Sequence, residues 1–272
     1  MGGSVKMKVA LIQMSAGKDK TKNVEKSVDF VNNAVAQKAK FILLPEVFNY
    51  RGFLSTDKIK NVAEEVPGYS LEALLKIARN KKVYILAGSV YEKVRGNTKV
   101  YNTSVLISPS GVSAVYRKKH LFSWSSGRKN KIIEESQIFL PGKRLALARV
   151  EKFNVGLSVC FDVRFAEMFQ EYCRKGAEVL CVPSAFLKQT GQAHWEILLR
   201  CRAVENLCYV LAPNQCGIDE RGIETFGHSM IVSPWGEILA EASGTKEEII
   251  FAHMNKKNLV RCRKILSNKV TK

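Results

Sequence analysis

A carboxylate, an amine and a thiol each follow an apolar segment of this sequence. Glu46 closes FILLPE, Lys118 closes VSAVYRK and Cys160 closes VGLSVC. If these segments are strands of α/β sheets, the three side chains belong at strand ends, where such sheets bind ligands. A thiolate is a nucleophile, an ammonium group favours the thiolate and stabilises an oxyanion, and a carboxylate accepts and returns the proton. The three residue types together predict cysteine-dependent hydrolysis of an amide.

Alternating strand and helix patterns supply the framework that must position these residues. KVALIQM at 8–14 precedes valines at helical spacing, and KFILLPEVF at 40–48 is a continuous apolar run. A run of that kind indicates a strand buried on both faces. The valines of the predicted helix are Val24, Val28, Val31 and Val35.

The second half of the sequence repeats the order of the first. AEVLCVPSAF at 177–186 resembles AKFILLPEVF at 39–48, and HSMIVSPWGEILAEA resembles TSVLISPSGVSAVYR. In the second pair, Ser-Pro-x-Gly predicts a hairpin turn. These repeats predict two similar sheets packed face to face with helices outside. We therefore predict an α/β fold, a four-layer α-β-β-α sandwich with pseudo-twofold halves, in one domain over residues 1–272.

Composition limits the classes of function. No apolar run approaches the roughly 18–20 residues of a membrane span. The 43 Lys and Arg against 25 Asp and Glu give a net charge of +18, but they are spread along the chain without a nucleic-acid-binding motif. Nucleic acid is therefore not expected as a partner. The seven cysteines include no C-x-x-C, which argues against a zinc site and a disulfide framework and predicts a reducing, cytoplasmic location.

Longer motifs around these residues resemble the carbon–nitrogen hydrolase, or nitrilase, superfamily. The resemblance covers roughly residues 7–260 and rests on FILLPEVF, YRKKHLF, ESQIFLPG, VGLSVCFDVRFAE, VPSAF, TGQAHWEILLRCRAVEN and FGHSMIVSPWGEILAEA. These segments are most similar to the Nit branch, which holds the ω-amidases and the amidases of deaminated glutathione. True nitrilases typically place Trp-Glu directly after the cysteine. Here Phe161 and Asp162 follow Cys160, which favours an amidase.

The resemblance implies a role for each of the three residues. Glu46 matches the general base and acid, Lys118 the cation that stabilises the oxyanion, and Cys160 the nucleophile. Strand alternation places Tyr116 and Lys118 on one face and Lys119 on the other, which also favours Lys118 over its neighbour.

Three further residues are candidates for the same site. Glu135 resembles the family's second acidic residue, which orients the lysine and the substrate, and Glu134 is the competing choice. Phe161 is expected to offer its backbone N–H to the oxyanion. Arg164 is a candidate ligand for a substrate carboxylate through a bidentate fork, or else the partner of a structural ion pair with a nearby acidic residue.

The segment LFSWSSGRKNKII at 121–133 departs from the family, which usually has a short acidic loop containing Pro-Gly there. A basic rim over 123–133 suits an anionic substrate. We predict a homodimeric amidase that hydrolyses a small linear carboxamide, bearing a carboxylate, to acid and ammonia through a thioester, with no cofactor and no metal. The alternatives are an N-carbamoyl amide hydrolase with the same three residues and a basic binding protein on an inactive scaffold.

Overall fold

A computed structural model describes residues 6–125 and 132–266 of the chain. The strands are β1 (Lys6–Gln13), β2 (Phe41–Leu43), β3 (Tyr84–Glu92), β4 (Tyr101–Ser108), β5 (Gly111–Arg117), β6 (Ser123–Ser125), β7 (Ile132–Glu134), β8 (Leu147–Val150), β9 (Phe153–Leu157), β10 (Val179–Cys181), β11 (Tyr209–Ala212), β12 (Met230–Val232), β13 (Ile238–Glu241) and β14 (Glu248–Asn255). The helices are α1 (Lys20–Ala36), α2 (Thr56–Val62), α3 (Tyr69–Lys81), α4 (Ala166–Arg174), α5 (Lys188–Asn206) and α6 (Lys256–Ile265). Short 3-10 helices cover Glu135–Gln137 and Cys160–Arg164.

Two six-stranded sheets share one strand arrangement. The first has the order β14-β1-β2-β3-β4-β5 and the second β8-β9-β10-β11-β12-β13. In each sheet three parallel strands are followed by an antiparallel hairpin, β4–β5 or β12–β13. On the other side, β14 and β8 pair antiparallel with β1 and β9. The repeated sequence patterns predicted two similar halves. In the structure these halves form two sheets of the same topology.

The sheets pack against each other through a shared apolar core. One cluster of buried side chains contains Leu43 from the first sheet and Leu157 from the second. Helices α1 and α3 contact the first sheet, where Leu74 belongs to a separate cluster, and α5 contacts β11 and β12 of the second. Each fully buried leucine of this kind stabilises the fold by about 1.5–3 kcal/mol. The predicted α-β-β-α sandwich is confirmed.

The helices follow the predicted apolar faces. Asp19 caps α1 by accepting a hydrogen bond from the Lys22 N–H at 3.1 Å, which satisfies one of the N–H groups left free at a helix start. Val24 and Val31 are buried against the sheet. Among the described residues, the helices are all too short or too polar to cross a bilayer.

Two strands end earlier than predicted. β2 stops at Leu43, three residues before Glu46, and β9 stops at Leu157, so the prediction that this strand ends on Cys160 is wrong by three residues. The Cys160 N–H still donates to the Pro183 carbonyl at 2.9 Å, but its φ of +48° turns the chain into a 3-10 helix. The Cys160 side chain therefore does not follow the alternation of side chains along the strand.

Candidate active site

A cavity of about 370 Å³ lies beyond the ends of β2, β5 and β9. Glu46, Lys118 and Cys160 all line it. Their exposed fractions are only 4%, 1% and 9%, so two ionisable groups and a thiol are largely withdrawn from water. Burial of this kind strengthens their mutual electrostatic interactions.

The carboxylate of Glu46 is fixed by groups from both halves of the chain. Its Oε1 accepts hydrogen bonds from Asn102 Nδ2 at 2.9 Å and from Lys118 Nζ at 3.1 Å. Its Oε2 accepts from the Ala185 N–H at 2.8 Å, and its carbonyl accepts from Gln215 Nε2 at 2.8 Å. Glu46 is therefore an oriented proton acceptor and not a solvated surface group.

Lys118 lies between two carboxylates. Its Nζ donates to Glu46 Oε1 at 3.1 Å and to Glu135 Oε1 at 2.9 Å. Burial disfavours the ammonium form, but the charges of Glu135 and Glu46 outweigh it and hold the pKa of Lys118 well above its usual value. The side chain is a lasting cation inside the cavity, as stabilisation of an oxyanion requires.

Glu135, and not Glu134, contacts this lysine. The second oxygen of Glu135, Oε2, accepts a hydrogen bond from the Phe122 N–H at 2.7 Å. Burial raises the pKa of Glu135, while the ammonium group of Lys118 acts in the opposite direction. Glu134 lines the cavity but is exposed and accepts from Ser136 Oγ at 2.8 Å. The geometry therefore favours Glu135 as the residue that orients Lys118.

Asp162 holds the turn that carries Cys160. Its Oδ2 accepts hydrogen bonds from Tyr116 Oη at 2.7 Å and from the Val159 N–H at 2.9 Å. Its Oδ1 accepts from the His120 N–H at 3.0 Å. A left-handed backbone costs energy at a residue other than glycine, so it persists only where neighbouring groups fix it. The buried Asp162 carboxylate supplies that constraint.

The surroundings of Cys160 disfavour its thiolate form. Burial and the negative charge of Glu46 raise its pKa well above the usual value, and the charge of Lys118 and the Ala185 N–H only partly oppose them. A thiol in this state needs a base to become a nucleophile. Glu46 lines the same cavity and is the candidate base.

Phe161 and Arg164 also line the cavity. The Phe161 N–H lies in the first turn of the 3-10 helix, where N–H groups have no partner within the helix. The Arg164 guanidinium lies 5.4 Å from the centre of the Phe186 ring and 3.3 Å from His194 Nδ1 through Nη2. Within the described ranges, Arg164 forms no ion pair, so its charge is directed to the cavity wall.

Sequence reasoning missed three groups of this site. Asn102 lies in the polar first half of β4, beside Thr103 and Ser104, so the sequence does not single it out. The Ala185 contact is made by the backbone, so its side chain carries no signal. Asp162 entered the argument only as the residue after Phe161, because its role depends on partners distant in the sequence.

Part of the predicted basic rim lies outside the described residues. This applies to Arg128, Lys129 and Lys131 of the 123–133 segment. Within the ranges that the structure covers, no group of three or more His, Cys, Asp or Glu side chains is placed to hold a metal ion.

The sandwich and this cavity are those of a hydrolase of carbon–nitrogen bonds. The carbon–nitrogen hydrolase family profile matches residues 8–264, and the chain therefore belongs to that family. The predicted family and the prediction of an enzyme are confirmed.

Relatives and solved structures agree with that assignment. The chain is 37% identical over 257 residues to omega-amidase NIT2 of Homo sapiens, which covers 94% of this chain and 91% of the relative. It is 38% identical over 257 residues to the deaminated glutathione amidase of Synechocystis, with 93% of each chain covered. The crystal structure of Nit3 from Saccharomyces cerevisiae superposes with a TM-score of 0.86 at 31% identity, covering 97% of this chain and 95% of that one. These matches support the amidase activity on small linear amides that the sequence predicts.

Proposed function

We propose that this protein is an amidase that hydrolyses a small linear carboxamide bearing a carboxylate, using Glu46, Lys118 and Cys160. One observation carries the proposal: Lys118 Nζ lies 3.1 Å from Glu46 Oε1 in the wall of the cavity that Cys160 also lines. An acid–base group, an oxyanion-stabilising cation and a nucleophile therefore meet one bound molecule. The omega-amidase and the deaminated glutathione amidase among the relatives agree with this substrate class.

The first half of the reaction forms a thioester. Glu46 takes the thiol proton as the sulfur of Cys160 attacks the amide carbon, and the carbonyl π electrons move to oxygen. Lys118 and the Phe161 N–H stabilise that oxyanion. When the tetrahedral intermediate collapses, the C–N bond breaks, Glu46 returns its proton to the nitrogen and ammonia leaves.

The second half releases the acid. Glu46 takes a proton from a water molecule, whose oxygen attacks the thioester carbon. The C–S bond then breaks, the proton passes to the sulfur of Cys160 and the carboxylic acid leaves. Glu135 keeps Lys118 in place through both halves, because it shares the ammonium group with Glu46. No redox step or external cofactor enters this sequence.

Arg164 is the proposed ligand for the substrate carboxylate. Its guanidinium lines the cavity and has two planar edges for a bidentate contact with a carboxylate. Contacts with the Phe161 and Phe186 rings keep it at the wall. This charge favours an anionic amide over a neutral one of similar size.

A substrate panel tests the proposal. Ammonia and carbon dioxide are measured with 2-oxoglutaramate, carbamoyl amines and neutral aliphatic amides of matched length, and the released Cys-Gly dipeptide is measured with deaminated glutathione. We expect ammonia without carbon dioxide from the carboxylate-bearing primary amides, and mass spectrometry of quenched samples should show an acyl group on Cys160. Carbon dioxide from the carbamoyl amines alone would instead identify a carbamoyl hydrolase. Salt-sensitive binding of nucleic acid with no turnover would identify a binding protein on an inactive scaffold.

We further propose that the protein is a single-domain homodimer that works in the cytoplasm without nucleic acid. Seven free cysteines fit a reducing compartment. On α5, Ile197 and Val204 are 70% and 45% exposed, and Trp235 in the β12–β13 turn is 46% exposed. Arg200 Nε joins the helix to that turn through the Gly236 carbonyl at 2.9 Å. We propose that a second copy of the chain covers this apolar surface. Ile197→Asp should therefore convert the dimer to a monomer, and light scattering measures the change in mass.

A further inference from the structure

A tyrosine and an arginine that the proposed reaction does not use also line the cavity. Tyr91 lies at the end of β3, and Arg221 lies in the loop after β11. Neither residue type at these positions stood out in the sequence. Both are polar residues in the wall of the cavity that would hold the substrate, so they can influence substrate specificity.

Tyr91 is a largely buried tyrosine in the cavity wall. Only 4% of the residue is exposed, and the ring packs against Phe139 with centres 5.4 Å apart. The residues that the structure describes form no hydrogen bond with its hydroxyl, which faces the cavity. Burial and the charges of Glu46 and Glu135 raise its pKa, whereas the charge of Arg221 lowers it. The hydroxyl therefore stays protonated, and it lies within the electrostatic reach of both the acid–base group and the guanidinium.

Arg221 is held rigidly by one carboxylate. Its Nε and Nη2 donate to Asp219 Oδ2 at 2.8 and 2.5 Å. Asp219 Oδ1 accepts from the backbone N–H groups of Arg221 and Ile223 at 2.9 and 3.0 Å, which fixes the loop. A guanidinium fixed in this way loses little conformational entropy when it binds a ligand.

The loop carries an unbalanced positive charge. Asp219 is also the carboxylate nearest Arg51, with Arg51 Nε at 3.9 Å, so two guanidinium groups share one negative charge. The neighbouring Glu220 does not cancel the excess, because it pairs with Lys18 at 3.3 Å. At the other end of the cavity, two carboxylates share the single charge of Lys118. The cavity therefore has a negative reacting end and a positive loop.

We propose that Tyr91 and Arg221 form a second anion subsite, distinct from Arg164, that receives a second acidic group of the substrate. The inference rests on the proposed amidase function and narrows it to linear amides with two carboxylates. One carboxylate binds at Arg164. The other accepts hydrogen bonds from the Tyr91 hydroxyl and from the Arg221 edge that Asp219 leaves free. Tyr91 and Arg221 thereby determine specificity without entering the proton transfers.

Binding to the Cys160→Ala variant tests this without turnover. The probes are the α,ω-dicarboxylates from succinate to pimelate and the monocarboxylates of equal chain length, measured by titration calorimetry. We expect the best dicarboxylate to bind at least about 10-fold more tightly than its monocarboxylate, since a hydrogen bond to a charged group contributes about 1.5–3 kcal/mol. Adding Tyr91→Phe or Arg221→Met should weaken binding of the dicarboxylate about 10-fold and change binding of the monocarboxylate little.

Matched controls separate this effect from folding and from net charge. Tyr91→Phe keeps the ring that packs on Phe139, and Arg221→Met is checked by its thermal midpoint. Tyr69→Phe and Arg174→Met make the same chemical changes at exposed positions on α3 and α4, and should leave the preference intact. In Cys160-containing enzyme, Tyr91→Phe should raise KM for a dicarboxylate amide and leave kcat within about threefold, because only ground-state binding is lost.

Two results would overturn the subsite. One is a set of dicarboxylates that bind no better than monocarboxylates, and the other is an unchanged preference in Tyr91→Phe or Arg221→Met. Failure of the proposed reaction would give a different result. The wild-type enzyme would release no product from any amide, while Cys160→Ala would still bind dicarboxylates.

Discussion

The two halves of the molecule have the same scaffold and different chemistry. In both sheets the second parallel strand runs into a proline, Pro45 after β2 and Pro183 after β10. The next residue is Glu46 in the first half and Ser184 in the second. Glu46 binds Lys118, whereas Ser184 Oγ donates to the Val182 carbonyl at 3.0 Å and stays within its own turn. One residue type decides which half supplies the acid–base group.

The first parallel strand of each sheet, β1 or β9, also ends differently, and here the second half supplies the reactive group. Leu11 pairs with Leu43 as Leu157 pairs with Cys181, so Met14 occupies the position of Cys160. Met14 is fully buried and forms an isolated parallel bridge with Gln215, in the loop after β11. Cys160 leaves its sheet at a φ of +48° and lines the cavity. The proposed nucleophile therefore lies in the half where the strand stops early and the chain turns into the cavity.

This comparison shows that neither half is a site alone. The first provides the carboxylate and the ammonium group, and the second provides the thiol and the Ala185 N–H that binds Glu46 Oε2 at 2.8 Å. The sandwich brings these edges together because both sheets bury the same core. Each half should therefore fail when its own group is removed.

Removing the thiol of the second half should abolish turnover. We expect Cys160→Ala to lower kcat by at least about 10³-fold, because no other group can form the thioester. The thermal midpoint should not fall, since the change removes one small atom at a cavity wall. Cys201→Ser is the matched control, because Cys201 is an exposed cysteine. Adding Met14→Cys to Cys160→Ala should restore nothing, and recovered activity would show that the halves are interchangeable.

Removing the carboxylate of the first half should be the next largest effect. Glu46→Gln keeps the size of the side chain but cannot accept the thiol proton, so we expect kcat to fall by about 10²–10⁴-fold. Glu134→Gln is the matched control at the exposed acid of the cavity rim. Equal losses in the two variants would contradict the role of Glu46.

Disturbing the turn should cost both stability and rate. Asp162→Asn leaves the N–H of Val159 or the hydroxyl of Tyr116 without its charged acceptor, so the free energy of unfolding should fall by about 2–3 kcal/mol. Chemical denaturation measures this loss. Activity should also fall at temperatures where the variant is folded, since the left-handed Cys160 is no longer fixed. A folded variant with normal kcat would show that Asp162 is only a stabilising residue.

Replacing the cation of the proposed substrate site should have a smaller, selective effect. We expect Arg164→Lys to raise KM about 10-fold for carboxylate-bearing amides and much less for neutral ones, because lysine cannot form the bidentate contact. If both substrate types lose equally, Arg164 has a structural role.

The smallest effect concerns the titration of the thiol. The negative charge of Glu46 raises the pKa of Cys160, so Glu46→Gln should lower it and increase the thiolate fraction at neutral pH. Ultraviolet thiolate absorbance against pH, corrected with Cys160→Ala, measures the shift. The variant should therefore react faster with iodoacetamide near neutral pH while turning over amides more slowly. A thiolate that titrates at higher pH in Glu46→Gln would contradict this electrostatic account.

Much of the fold followed from local patterns. Apolar spacing predicted the buried face of α1, and strand alternation placed Tyr116 and Lys118 on one side, where both are 1% exposed. The Ser-Pro-x-Gly segments form the β4–β5 and β12–β13 turns. These features depend on residues close in the sequence, so a single chain reveals them.

The choice between neighbouring acids did not follow from such patterns. Glu134 ends the three-residue strand β7 and Glu135 begins a three-residue 3-10 helix. Elements this short have no periodicity that separates a buried side chain from an exposed one. The contact with Lys118 decides it, because that lysine comes from a distant strand. The same holds for Tyr91 and Arg221, whose common cavity depends on the packing of two sheets.

The sequence by itself determined the layers of the sandwich, its internal repetition and the residue types able to attack an amide, since propensity, apolar period and motif are local properties. The fold was needed to show that Asp162 fixes the turn, that Glu135 and not Glu134 binds Lys118, and that one end of the cavity is positive. Hydrogen bonds and charges act through space over a few ångströms, and chain distance does not encode them.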